Sequence, residues 1–187
     1  MELILASQSP RRKELLGLFG LPFVIRVADI DESMEDTAAP YDEVARVSRE
    51  KAMAVARAQG DIVVAADTIV VCENKVLGKP KSEKEAIQML SLLSGRNHQV
   101  MTGMTVLRDE KSLSCTEVTD IHFRELTQKE IAAYVATGEP MDKAGAYGIQ
   151  GGAALFAQKL VGDYYNVMGL PVCKLRQLLF EVAPELF

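Results

Sequence analysis

Residues 3–16 read LILASQSPRRKELL, an apolar run that turns within a few residues into the start of a helix. Leu3 to Ala6 has the character of a buried strand, and the run breaks at Ser7. Ser9 stands at an N-cap position and Pro10 at a first helical position, so a helix is expected over Pro10–Phe19, with Gly17 and Gly20 at its end. A strand feeding directly into a helix is the building unit of an α/β architecture. The same stretch poses a chemical question. A helix N-terminus carries partial positive charge and favours anions, yet this one opens with Arg11, Arg12 and Lys13. One reading is an exposed basic turn. The other is an anion site, in which the three cations, the outward N–H groups of the first turn and the hydroxyls of Ser7 and Ser9 surround a phosphate. Arginine suits phosphate because its planar fork donates two hydrogen bonds at once. The pattern G-x-x-x-x-G-K-[ST] is absent, so the site is not a Walker loop.

Beyond this unit the chain alternates strands and helices. PFVIRV (22–27) reads as a second strand, and DIDESMEDTAAPYDE (29–43) as an acidic connection. A helix is expected over Tyr41–Gln59, with Val44, Val47, Val55 and Ala56 at helical spacing and Gly60 as its stop. DIVVAADTIVVCENKVLG (61–78) holds two strand-like pieces around Asp67, then a turn at Glu73–Lys75. Ser82 and Glu85 form a capping-box pattern for a helix to Leu93, and Thr127 and Glu130 form another for a helix to Ala136. Between them, 98–109 and 112–126 look like long strands joined in a hairpin near 109–111. TGEPMDKAGAYGIQGG (137–152) is a Gly-rich loop without periodicity, and a last helix is expected over Leu170–Val182. Helices interleaved with strands predict an α/β class with a mixed sheet, antiparallel in part, in one domain spanning 1–187.

Composition narrows the function. The chain has 187 residues, enough to bury a core without staples. Its net charge of -5 disfavours general binding to nucleic acid or anionic membrane, so an anionic ligand must meet a local cationic site. Cys72, Cys115 and Cys173 are odd in number and widely spaced, and with only His98 and His122 they make no zinc spacing; this points to reduced thiols and the cytoplasm. No run approaches a membrane span, and the N-terminal apolar run is too short for a signal peptide.

Asp67 lies inside an apolar run, where a carboxylate is costly unless paired, hydrogen-bonded or metal-bound. It either caps a strand break at Asp67-Thr68 or serves as a general base or metal ligand. Asp29, Asp31 and Glu32 are a solvated loop by themselves, but beside a phosphate site they become candidates for Mg²⁺ or Mn²⁺. Gly78-Lys79-Pro80 is an extended turn that fixes the direction of a lysine, which taken alone reads as a surface residue. The glycines of 137–152 permit close approach to a ligand, with Lys143, Tyr147 and Gln150 in the same loop; the Gln150 amide can both donate to and accept from a base edge. His98, His122, Met101, Met104 and the C-terminal Leu-rich helix read as packing, and the cysteines as inert.

Taken in order, LILASQSPRRKELL, DIDE, KAMAVA, AADTIV, LGKP, MLSLLSGRNHQVMTG, GEPMDKAGAYGIQG and GDYYNVMGLPV resemble the Maf family of nucleoside triphosphate pyrophosphatases, once called septum-formation inhibitors. The resemblance covers nearly the whole chain. It implies an elongated α/β fold with two lobes around a deep cleft, related to inosine triphosphate pyrophosphatases. It also implies hydrolysis of a nucleoside triphosphate to the monophosphate and pyrophosphate with a divalent cation (Mg²⁺, Mn²⁺ or Co²⁺). By position Asp67 matches the proton acceptor, with Lys79 and Glu32 in the catalytic set and Glu32 and Asp67 as metal ligands. Ser7, Arg12, Lys51 and Lys143 match substrate-binding positions. Arg11, Thr68 and Gln150 match positions that sort substrates, and here resemble the dTTP and UTP subgroup, not the 7-methyl-GTP one. A homodimer is implied as well. Gly152 departs from the pattern, which expects Arg or Lys there. Two alternatives stay open: a house-cleaning enzyme for modified nucleotides, and a nucleotide-binding regulator of septum formation and cell division without essential catalysis.

Overall fold

A computed structural model describes residues 1–27, 29–34 and 38–187; of the acidic connection, 35–37 lie outside the described residues. The chain runs β1 (Leu3–Leu5), α1 (Pro10–Gly17), β2 (Val24–Ile25), α2 (Pro40–Ala54), β3 (Ile62–Cys72), β4 (Lys75–Leu77), α3 (Glu83–Leu93), β5 (Asn97–Arg108), β6 (Lys111–Phe123), α4 (Gln128–Val135), β7 (Ala157–Val161), α5 (Tyr164–Met168) and α6 (Val172–Val182). The strands form a mixed sheet in the order β2-β1-β3-β5-β6-β7, with β4 on β3. β1 is parallel to β2, with Ile4 opposite Val24, and parallel to β3, with Leu3 opposite Ile62. Parallel neighbours need long crossovers, and α1 and α2 supply them. β4 is antiparallel to β3, and β7 to β6. The expected mixed α/β class is the one observed.

Two compact units divide the chain: Met1–Asp67, Thr102–Glu117 and Gly169–Phe187 make the first, and Thr68–Met101 and Val118–Met168 the second. In the first unit, Ala52 and Val55 pack with Ile4 and Ala6, with Val63 and Ala65 of β3, and with Leu107 of β5. The α2 helix ends at Ala54, short of the expected Gln59, because Val55 turns to an extended conformation (φ -75°, ψ 132°) and is buried in this cluster. Gly103 of β5 lies against α2 so closely that a Cβ there would stand 2.2 Å from the Val44 carbonyl oxygen. Asp61 is buried, and its carboxylate accepts hydrogen bonds from Glu2 N (2.9 Å) and Ala58 N (2.9 Å), which ties the first strand to β3. PFVIRV pairs only at Val24–Ile25, as an exposed edge strand.

In the second unit the two expected caps form. Ser82 Oγ accepts from Glu85 N (3.2 Å), and Thr127 and Glu130 make a reciprocal capping box. Glu73 (φ 50°) and Asn74 (φ 62°) form the tight turn into β4 with both central residues left-handed, as a twisted two-residue hairpin requires. The core joins Val70 and Cys72 with α3, α4, Phe123, Tyr147 and Phe156. His98 is packed in it, with its Nε2 2.9 Å from the Tyr147 hydroxyl and its ring edge-on to Phe123. β7 and α5 were not expected from sequence: β7 is a mostly exposed edge strand with little periodicity, and α5 has only five residues. Among the described residues no helix is long and apolar enough to cross a membrane, and all three cysteines are free thiols.

Candidate functional site

β3 runs unbroken through Asp67, which removes the strand-break reading. Ile62 to Ala66 are buried, and burial relaxes at Asp67 and Thr68 before resuming at Ile69. A carboxylate in such a strand needs a cation. Lys51 provides it, with its Nζ 2.7 Å from Asp67 Oδ1. The same Nζ lies 3.0 Å from Glu32 Oε1. The two carboxylates therefore converge on a single ammonium. The Lys51 and Asp67 side chains are only 12% and 13% exposed, whereas Glu32 is 55% exposed. Lys51 sits in the last turn of α2, four residues after buried Val47 and three after buried Ser48. That spacing aims it along the packed face of the helix, and its charge also suits a helix C-terminus.

Ser9 occupies the N-cap position of α1, but its side chain makes no capping bond. Ser7 organises the turn instead: its Oγ accepts from Ser9 N (3.2 Å) and from Arg12 Nη1 (3.2 Å). Arg12 Nε also donates to the Gly169 carbonyl (2.8 Å). The guanidinium is thus fixed by two groups on its own unit. Burial works against its charge, Asp67 and Glu32 favour that charge, and Arg11 opposes it. The cationic start of α1 and the carboxylate pair therefore act on one another electrostatically. Ser7, Arg11, Arg12, Glu32, Lys51 and Asp67 all belong to the first unit.

Thr68, Lys79, Lys143 and Gln150 belong to the second unit. Thr68 follows Asp67 on β3 and is half-buried; Lys79 is exposed between β4 and α3. Lys143 Nζ is held by Asp142 Oδ1 (2.6 Å) and the Glu139 carbonyl (2.6 Å), and Gln150 is exposed on its turn. Gly152, where a basic residue was expected, donates its N–H to Glu139 Oε2 (3.1 Å), and a Cβ there would stand 3.0 Å from the Tyr134 ring. Glycine lets the backbone rest against that ring. Two organising residues, Glu139 and Tyr134, escaped sequence reasoning. Glu139 lies in an aperiodic stretch, and Tyr134 reads as one more apolar position of a helix.

Carboxylates and cations set side by side on a mixed α/β framework define a protein equipped for a phosphate-bearing ligand. Residues 2–182 match the Maf-like protein family, and the chain belongs to that family. It is 50% identical over 175 residues to the dTTP/UTP pyrophosphatase of Bacillus cereus (strain AH820), covering 93% of this chain and 92% of the relative. The dTTP/UTP pyrophosphatase of Bacillus thuringiensis subsp. konkukian (strain 97-27) matches equally well, at 50% over the same shares. Among solved structures, a HAM1 protein from Coxiella burnetii shares the fold at a TM-score of 0.50 and 18% identity, over 97% of this chain and 99% of that one.

Proposed function

We propose that this chain is a nucleoside triphosphate pyrophosphatase that hydrolyses dTTP and UTP to the monophosphate and pyrophosphate. The observation that carries the reading is the convergence of Asp67 and Glu32 on Lys51, beside a guanidinium held by Ser7 and Gly169. The 50% identity to relatives named dTTP/UTP pyrophosphatase supports the choice of substrate.

In this reading Arg11, Arg12, Lys51 and Lys79 neutralise the phosphates, and Ser7 and Lys143 add donors. Asp67 accepts a proton from the water whose oxygen attacks the α-phosphorus. The bond from that phosphorus to its bridging oxygen breaks, and pyrophosphate leaves. Thr68, Gln150 and Arg11 select the nucleotide, since an amide offers both a donor and an acceptor to a pyrimidine edge.

The donor set suits a hard divalent cation. Two carboxylates already share one point of positive charge, and Mg²⁺ is commonly held by one or two carboxylates together with substrate phosphates and waters. Among the described residues no group of three His, Cys, Asp or Glu forms a complete metal cluster, so substrate oxygens and waters would complete the shell around Glu32 and Asp67. When bound, Mg²⁺, Mn²⁺ or Co²⁺ supplies charge neutralisation at the phosphates. A cytoplasmic location belongs to the same reading, supported by three free thiols.

The test is pyrophosphate release from dTTP, UTP, CTP, ITP and 7-methyl-GTP with each cation and with EDTA. Turnover of dTTP and UTP that EDTA abolishes, and that Asp67→Asn loses by at least about 100-fold with an unchanged melting temperature, is the expected result. Near-normal turnover by Asp67→Asn refutes its role. Nucleotide binding without turnover of any substrate refutes the enzymatic reading and favours a nucleotide-binding regulator.

A further inference from the structure

We propose that Glu139 and Tyr134 are positioning residues that set the turn carrying Gln150, and through it the choice of nucleobase. This rests on the base-reading role of Gln150 proposed above. The argument begins with the glycines. Gly148-Ile149-Gln150-Gly151-Gly152 is closed at its middle by a bond from Gly151 N to the Gly148 carbonyl (3.0 Å). Both of its ends are held by one pair of side chains. The Tyr134 hydroxyl oxygen accepts from Gly148 N (3.0 Å) and donates to Glu139 Oε1 (2.9 Å). Glu139 Oε2 accepts from Gly152 N (3.1 Å). A continuous bridge therefore runs from one end of the turn to the other, with Gln150 exposed between them.

A side chain at Gly151 or Gly148 would displace the tips of Glu139 or Lys143 from where they now rest. A Cβ at Gly151 would stand 1.9 Å from Glu139 Oε1, and one at Gly148 would stand 2.8 Å from Lys143 Cε. Tyr134 is itself immobilised: it is 5% exposed and edge-on to Phe156, with centroids 5.2 Å apart. Burial and the adjacent Glu139 carboxylate push its phenol well above the ordinary range, so the proton that bridges to Glu139 stays in place at neutral pH. Lys143 Nζ, on the Glu139 carbonyl, is tied into the same assembly. Removing the hydroxyl of Tyr134 takes a partner from two groups at once, the Gly148 N–H and Oε1 of Glu139, without emptying the ring's place in the core.

The experiment compares kcat and KM for UTP and CTP in Tyr134→Phe, Glu139→Gln, Gln150→Ala and the double variant Tyr134→Phe/Gln150→Ala. Expected is a fall of about five-fold or more in the UTP-to-CTP ratio of kcat/KM in Tyr134→Phe, mostly through KM for UTP. Glu139→Gln, whose one amide oxygen replaces two carboxylate acceptors, loses part of the ratio, and an unchanged ratio there overturns the role of Glu139. The double variant discriminates no worse than Gln150→Ala, because both changes act through one amide. A Tyr134→Phe ratio equal to wild type, with Gln150→Ala reduced, overturns the positioning role and leaves the reading of Gln150 standing. A Gln150→Ala ratio equal to wild type overturns both. Melting temperatures separate these outcomes from loss of fold, and Tyr134→Phe keeps the ring that packs on Phe156.

Discussion

Lowering the pH should destabilise this protein through one buried ring. His98 is 3% exposed, its Nε2 is 2.9 Å from the Tyr147 hydroxyl, and Phe123 and Tyr147 stand edge-on to it at 4.8 and 5.5 Å. Burial brings its pKa down to about 4 from 6.5. Between those two values the unfolded chain binds a proton that the folded chain refuses, so stability is full above the unfolded value and is lost as pH falls through the window. The difference amounts to about 2 kcal/mol near pH 5 and on the order of 3 kcal/mol at about pH 4, from about 1.4 kcal/mol for each unit between the two values. For a chain of this size about 2 kcal/mol is a drop of about 4–8 °C in melting temperature. The carboxylates act lower: Glu130, held down at about 2 first by Arg124 and then by Thr127, adds its loss only below its ordinary value of 4.5. Thermal melts from about pH 7.5 to about pH 5 should show the loss in the wild type and little of it in His98→Gln. The chain has only His98 and His122, so two ring resonances suffice for a direct titration by NMR. A His98 ring that titrates near 6.5, or a His98→Gln variant with the wild-type pH slope, would show the reasoning to be wrong.

Two further outcomes are expected. Gly103→Ala puts a Cβ 2.2 Å from the Val44 carbonyl oxygen, so α2 must shift, at about 3 kcal/mol or a melting-temperature loss of about 6–12 °C by calorimetry; Gly17→Ala, with nothing within 4 Å, is the neutral control. Arg12→Ala removes donors that Ser7 and Gly169 hold in place and should raise KM for dTTP by about 10-fold or more with kcat changed far less; Arg12→Lys does not restore it, because a lysine lacks the fork, and an unchanged KM in Arg12→Ala counts against a phosphate clamp.

Local signals are legible in the sequence because their physics is local. Thr127 with Glu130 and Ser82 with Glu85 specify helix starts through bonds that span three residues, and no distant contact is needed to find them. Asp67 was legible as an anomaly, a carboxylate in an apolar run. Its partner was not, since Lys51 reaches it only after α2 has docked. The single sequence trace of that pairing is Lys51 at helical spacing from Val47, a cation on an apolar face. The α2 end shows the opposite failure. Val55 fits a helical period, but burial beside Ile4 and Val63 competes with propagation of the helix and wins. Glu139 and Tyr134 leave no periodic or motif signal, because what they do depends on glycine backbone approaching side chains from elsewhere in the chain.

The cations that open α1 follow from the same accounting of charge. A basic first turn is unfavourable to a helix taken alone, and Ser9 makes no capping bond to offset it. Yet Arg12 is not left to solvent. Its Nε and Nη1 are committed to Gly169 and Ser7, and Asp67 and Glu32 sustain its charge against burial. Lys51 is meanwhile committed to those same two carboxylates. Anything that drew Glu32 and Asp67 away from Lys51 would release a lysine beside a fixed guanidinium, and in the function proposed above a polyphosphate with a divalent cation would do both at once: Glu32 and Asp67 would hold the cation, and Arg12 and Lys51 would meet the phosphate oxygens.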